Sequence, residues 1–169
     1  MRIYLIGMPA SGKSTVGSEL AERLGYDFVD TDDLIAEREG IGIPEIFSEK
    51  GEDYFRKVEG DVLRSTLPEK AVIATGGGVP CFAGNMEFIK EQGISVYLKV
   101  PVEELASRSM AQHGARPLLK DFVGLQLLDE LKSKLKAREV FYNQADLQIQ
   151  GKQPDIDTLI EKLKLKATL

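Results

Sequence analysis

The stretch Gly7-Met8-Pro9-Ala10-Ser11-Gly12-Lys13-Ser14 has the spacing of a phosphate-binding glycine loop, a glycine, four residues, then Gly-Lys-Ser. Such a loop holds the phosphates of a nucleoside triphosphate. Backbone N–H groups converge on the anion, and the dipole of the following helix favours negative charge there. Glycines let the main chain approach without an intervening Cβ. Lys13 is then the cation for the β- and γ-phosphates, and the Ser14 hydroxyl is a ligand for Mg²⁺. The bland alternative is a glycine turn that matches by accident. Context argues against it, because residues 3–6 form an apolar run of strand length before the loop and residues 14–24 read as a helix after it.

A second group of reactive side chains follows. Asp30-Thr31-Asp32-Asp33 comes directly after a short apolar run. One carboxylate there can sit in a Mg²⁺ hydration shell and another can accept a hydrogen bond from a substrate hydroxyl. Aspartates are also favoured at helix N-termini, and Asp33 is assigned to that capping role. Arg56 falls in the first turns of a helix, where the dipole disfavours a cation. Either it pairs with Glu52 four residues earlier, worth about 0.3–0.5 kcal/mol, or its guanidinium faces a bound carboxylate. Glu59, one turn on, can orient Arg56 or take a hydroxyl. Gly76-Gly77-Gly78 costs chain entropy with no packing return, which points to close approach of main chain to a ligand rather than a loose turn. Arg116, held beside Pro117, can neutralise a transferring phosphoryl group or be an ordinary surface charge. His113 has no partner at metal-ligand spacing, and Arg138 lies among Lys132, Lys134 and Lys136 on what spacing alone makes a solvated face.

The elements that must position these residues alternate between strand and helix, which implies an α/β fold of three layers around a parallel sheet. Strands are expected at residues 3–6, 26–29, 71–75, 95–99 and 147–150, and helices at 14–24, 32–39, 44–50, 52–66, 85–92, 101–109, 124–145 and 155–165. Residues 110–120, with small side chains and weak periodicity, are expected to form a mobile loop. Ligands of an open parallel sheet bind beyond the C-terminal strand ends, and the reactive residues cluster at three of them. The 169 residues carry a net charge of −5, against a nucleic-acid surface. The single cysteine allows no internal disulfide, and no run reaches membrane-spanning length or reads as a signal peptide. A cytoplasmic protein is expected, with monomer as the default because no oligomer seam is visible.

The whole set resembles the shikimate kinase family over essentially the whole chain. The resemblance rests on the glycine loop, Phe28-Val-Asp30-Thr-Asp32, Phe47, Gly51-Glu-Asp-Tyr-Phe55-Arg56-Lys-Val-Glu59, Thr75-Gly76-Gly77-Gly78, Arg116-Pro117-Leu118-Leu119 and Arg138-Glu-Val-Phe-Tyr142. It implies a single P-loop kinase domain over residues 1–169, with a parallel sheet of five strands in the order 2-3-1-4-5. A substrate-binding region of about 31–63 and a lid of about 110–121 are implied as well. The implied reaction moves the γ-phosphate of ATP to the 3-hydroxyl of shikimate, in aromatic amino-acid biosynthesis, with Mg²⁺. Catalysis is implied for Lys13, Asp32 and Arg116, and Mg²⁺ binding for Ser14 and Asp30. ATP contacts are implied for Gly7, Ala10, Ser11, Gly12, Lys13, Ser14, Thr15, Arg108, Arg116, Lys152, Gln153 and Pro154. Shikimate contacts are implied for Asp32, Phe47, Phe55, Arg56, Glu59, Gly76, Gly77, Gly78, Arg116 and Arg138. Ala10 stands where the family often has glycine, and Lys152-Gln153-Pro154 where it often has an Arg-Asn-Pro-like stretch. The rival readings are a kinase of gluconate or a nucleoside monophosphate, and a P-loop module that binds ATP without turnover.

Overall fold

The computed structural model describes residues 1–65, 67–113 and 120–167, and only the backbone of His113 and of residues 120–123. Five parallel strands, β1 (Arg2–Ile6), β2 (Asp27–Asp30), β3 (Ala71–Ala74), β4 (Gly93–Lys99) and β5 (Leu147–Gln150), form one sheet in the order β2-β3-β1-β4-β5. The central strand pairs on both sides, with Ile3 opposite Val72 and Ile94, and Leu5 opposite Ala74 and Val96. Its residues are apolar on both faces because helices cover both.

Side chains alternate between those faces. Ile3, Leu5, Val72, Val96 and Leu98 pack under α1 (Lys13–Leu24) and α8 (Ile156–Ala167), against Leu20, Ala21, Leu159 and Leu163. Tyr4, Ile6, Ile73 and Tyr97 face the other layer, built from α5 (Asn85–Gln92), α6 (Val102–His113) and α7 (Lys120–Tyr142). A smaller core of Ile35, Ile46, Phe55, Val58 and Val62 joins α2 (Thr31–Glu39), α3 (Ile43–Lys50) and α4 (Glu52–Leu63). These three helices make a separate lobe beside the sheet edge, which carries Phe47, Arg56 and Glu59.

Several boundaries differ from expectation, among them the end of α7 at Tyr142 rather than residue 145. Residues 110–113, expected in a loop, continue α6, and α7 begins at Lys120 rather than residue 124. Alanine and glutamine at 111 and 112 favour helix, and α6 and α7 pack so closely that a Cβ at Gly124 would lie 3.1 Å from Met110 Sδ. Residues 114–119 of the expected lid, Arg116 among them, lie outside the described residues. Gly93, expected only as a helix stop, both caps α5 and begins β4, since its missing side chain leaves room for Arg2, whose carbonyl carbon would be 2.9 Å from a Cβ. α4 ends at Leu63, with Arg64 as its cap, rather than at residue 66.

Candidate active site

Lys13 opens α1 directly after the glycine loop, and its side chain turns back into the loop. Its Nζ donates to Gly7 O at 3.0 Å, Met8 O at 2.8 Å and Ser11 Oγ at 3.4 Å. Burial pushes this ammonium down to about 8, with Arg138 adding to the fall and Asp32 and Asp30 opposing it. A charged lysine held among carbonyls has a strong incentive to meet an anion. Gly7 and Gly12 take positive φ of 146° and 88°, the conformations for which glycine is needed. Ala10 takes φ 64°, so the loop keeps its left-handed turn and places the strain on an alanine.

Ser14, at the exposed start of the helix, donates from Oγ to Asp30 Oδ2 at 2.6 Å. Asp30 ends β2 and also caps α2, its Oδ1 accepting from the Asp32 N–H at 3.0 Å. Capping therefore falls to Asp30 and not to Asp33, which sits exposed in the first turn, because the cap must precede the first helical residue, Thr31. A hydroxyl and a carboxylate oxygen side by side at the loop are the hard oxygen donors that Mg²⁺ takes. Among the described residues no group of three or more histidine, cysteine or acidic side chains forms a metal cage.

The glycine run after β3 explains itself through the side chains around it. A Cβ on Gly76 would lie 2.9 Å from Asp32 Oδ1 and 3.0 Å from Glu59 Oε1. One on Gly77 would lie 2.8 Å from Pro9 Cδ and 3.1 Å from Arg138 Nη1, and one on Gly78 would lie 2.9 Å from Arg56 Cζ. None of the three has positive φ. They are glycines for space, and through that space Asp32, Glu59, Arg56 and Arg138 converge on one short segment.

Burial and paired charges set the carboxyl groups around this segment. Glu59 is 1% exposed and accepts from Arg56 Nη1 at 2.9 Å. Burial raises its carboxyl, against the pull of Arg56. Burial likewise raises Asp32, reinforced by Asp30 and opposed by Lys13. Arg56 reaches Glu52 at 3.4 Å as well, the i, i+4 pair expected from the sequence. Its guanidinium lies over the rings of Phe82, at 4.2 Å, and Phe55, at 5.3 Å. Its Nε is buried with no hydrogen-bond partner. Phe47 stacks on Phe55 with ring centroids 4.5 Å apart and stays partly exposed at the rim.

A cleft of about 930 Å³ joins the two regions. It runs from Asp32, Gly76 and Gly77 along Ser11–Thr15 to Glu104, Arg108, Lys152, Gln153 and Pro154. Arg108 ties its far end together. It donates to Glu104 Oε1 at 3.0 Å, to Ala10 O at 3.2 Å and to Lys152 O. Phe47, Phe55, Arg56, Glu59, Gly78 and Arg138 are not among the residues that line this cleft.

Three residues in this region escaped sequence reasoning. Thr31 is fully buried, and its Oγ1 accepts from the Gly76 N–H at 3.1 Å, joining the loops after β2 and β3. Phe82 covers Arg56, and Tyr142 donates to Gly77 O at 2.6 Å. Tyr142 had a signal, since it stands four residues after Arg138 and so on the same helix face. Thr31 and Phe82 had only their places beside the two aspartates and the glycine run.

The chain matches the family model described as shikimate kinase over residues 9–166. It is 42% identical over 164 residues to a curated shikimate kinase of Aquifex aeolicus, covering 96% of this chain and 94% of that one. A solved shikimate kinase from Bacteroides thetaiotaomicron superposes with a TM-score of 0.86 at 33% identity, over 100% of this chain and 99% of the other. One from Acinetobacter baumannii, in complex with shikimate, superposes with a TM-score of 0.80 at 41% identity, over 99% and 93%. By sequence and by fold alike, the chain belongs to the shikimate kinase family.

Proposed function

We propose that this chain transfers the γ-phosphate of ATP to the 3-hydroxyl of shikimate, giving shikimate 3-phosphate and ADP in aromatic amino-acid biosynthesis. The observation that carries this reading is one juxtaposition. The glycine run leaves room for Arg56, Arg138, Asp32 and Glu59 on one segment, and Asp32, Gly76 and Gly77 of that group line the cleft that also holds Lys13 of the phosphate loop. An acid with several hydroxyls needs cations for its carboxylate and carboxylates for its hydroxyls, and this pocket supplies both.

The reaction follows from those residues. Arg56 and Arg138 grip the carboxylate, a guanidinium fork matching two oxygens. Phe47 and Phe55 pack beside the ring. Asp32 and Glu59 accept from hydroxyls, and Asp32 takes the proton as the hydroxyl oxygen bonds to the γ-phosphorus and the bond to ADP breaks. Its raised pKa suits it to hold that proton. Lys13 leaves its carbonyl partners for the β- and γ-phosphates and balances charge in the transition state. Arg108 and residues 152–154 border the nucleotide's adenine end. Arg116 closes over the phosphates in this reading, which rests on sequence alone because that residue lies outside the described ones.

Ser14 and Asp30 fit Mg²⁺ by donor type, and the ion supplies charge neutralisation on the nucleotide's phosphates when bound. No helix among the described residues is long and apolar enough to cross a membrane. We place the enzyme in the cytoplasm as a monomer, a single domain over residues 1–169, on its acidic charge and its lone cysteine. An ADP-release assay with Mg²⁺ and a panel of shikimate, gluconate and nucleoside monophosphates tests the assignment. Turnover confined to shikimate is expected, and faster turnover of another acceptor would overturn it.

A further inference from the structure

Tyr142 closes α7 and is fully buried, stacked on Tyr97 with ring centroids 5.0 Å apart. A buried tyrosine hydroxyl needs a partner, and here it has a short one. The hydroxyl donates to Gly77 O at 2.6 Å, with Met8 Sδ at 3.8 Å on the phosphate loop. It carries one hydrogen, so the shorter contact takes it.

Gly77 C=O and Gly78 N–H belong to one peptide unit, and none of the described peptide bonds is cis. In a trans unit those two groups point in opposite directions. A hydroxyl that holds the carbonyl therefore also aims the N–H. The preceding unit is fixed differently, by the Val79 N–H donating to Gly76 O at 3.1 Å. Gly76 N–H is already committed to Thr31 Oγ1. Of the glycine N–H groups, Gly78's is the one whose direction a side chain sets through the carbonyl behind it.

We infer that Tyr142 is a positioning residue for shikimate: its hydroxyl turns the Gly77–Gly78 peptide so that the Gly78 N–H faces the acid pocket beside Arg56. This rests on the function proposed above. The hydroxyl also accepts a hydrogen bond from Arg138, so the Gly78 amide signal, and not the shikimate KM alone, reads its hold on the Gly77 carbonyl, which acts through a main-chain amide with no side chain of its own to orient it. The arrangement also makes the C-terminal part of α7 contribute twice, with Arg138 as a cation and Tyr142, four residues on, as the clamp behind the donor.

Tyr142→Phe keeps the ring and its stacking and removes only the donor. Tyr97→Phe removes a neighbouring hydroxyl from the same cluster and serves as the comparison. Kinetics with ATP and shikimate, together with the ¹H–¹⁵N shift of the Gly78 amide in the ligand-free proteins, separate the cases. Expected for Tyr142→Phe is a shikimate KM raised about tenfold, an unchanged ATP KM and a displaced Gly78 amide signal. Tyr97→Phe should leave all three as in the wild type. An undisplaced Gly78 signal, or ATP and shikimate KM rising together, would overturn the inference while leaving the proposed function standing. Wild-type protein that turned over no shikimate would remove the function and this role with it.

Discussion

The Ser14 hydroxyl donates to Asp30 Oδ2 across 2.6 Å, tying the first turn of α1 to the end of β2. The same aspartate caps α2 through its other oxygen. One side chain thus serves both a helix and the edge of the phosphate site, and the two roles come apart under substitution. Asparagine caps helices as well as aspartate does, so Asp30→Asn should hold the melting temperature while raising the Mg²⁺ requirement about 10–100-fold. Asp30→Ala should lose the cap as well, about 1 kcal/mol. Rate measurements across a Mg²⁺ titration, with thermal melts, check both; an unaltered requirement would take Asp30 out of the metal site.

Lys13 couples nucleotide binding to pH. Burial lowers it from 10.5 to about 8 in the ligand-free protein. Between those values the folded state holds fewer protons than the unfolded one, so this group makes stability rise with pH across that window. Bound phosphate favours the ammonium, so ATP binding at about pH 8.5 should take up a proton. Calorimetry in buffers of different ionisation enthalpy measures that uptake, and none at that pH would contradict it. Lys13→Ala should abolish the uptake and lower kcat about 10²–10³-fold.

Asp32 is set for chemistry at a cost in stability. Its carboxyl binds a proton more tightly in the folded state, so its contribution falls as pH rises from the ordinary carboxylate value through the raised one. Asp32→Asn removes that burden. We expect a melting temperature equal to or above that of the wild type and a kcat about 10²–10⁴-fold lower. Unchanged kcat would deny Asp32 the role of base.

Removing Arg56 should cost binding and folding together. Arg56→Ala leaves Glu59 buried without its cation, at about 1–3 kcal/mol, and should raise the shikimate KM about 10–100-fold with ATP unaffected. Adding Glu59→Gln should recover part of the stability and none of the shikimate binding. Recovery of KM in the double variant would show that Arg56 serves only to neutralise Glu59.

Ala10 offers a gain. At φ 64° an alanine is strained by roughly 1–2 kcal/mol, and glycine there gives back part of that through its freer unfolded chain. Ala10→Gly should stabilise the protein by about 0.5–1 kcal/mol in denaturant titrations. A loss of stability would mean the Ala10 side chain packs in a way its backbone angle conceals.

The phosphate loop was legible because its chemistry is local. Strand, loop and helix N-terminus are consecutive, so the spacing of Gly7, Gly12, Lys13 and Ser14 alone specifies a cradle of amides. The alternation of apolar strands with helical periods likewise specified a layered sheet, since both signals repeat within a few residues. Charge density at the strand ends marked which end of the sheet carries chemistry.

What remained was decided across distances no local pattern records. Arg138 read as one charge on a solvated face until α7 crossed behind the glycine run and set it beside Gly77. The glycine triplet read as a close approach of main chain to a ligand; its angles are ordinary, and only the packing showed that it leaves room for side chains from α2, α4 and α7. Asp30 rather than Asp33 became the cap because β2 ends where it does. Residues 110–113 became helix because a neighbouring helix gave them a surface to pack on, which outweighs weak periodicity. Local spacing decides which groups can act; only the packing of distant segments decides which of them meet.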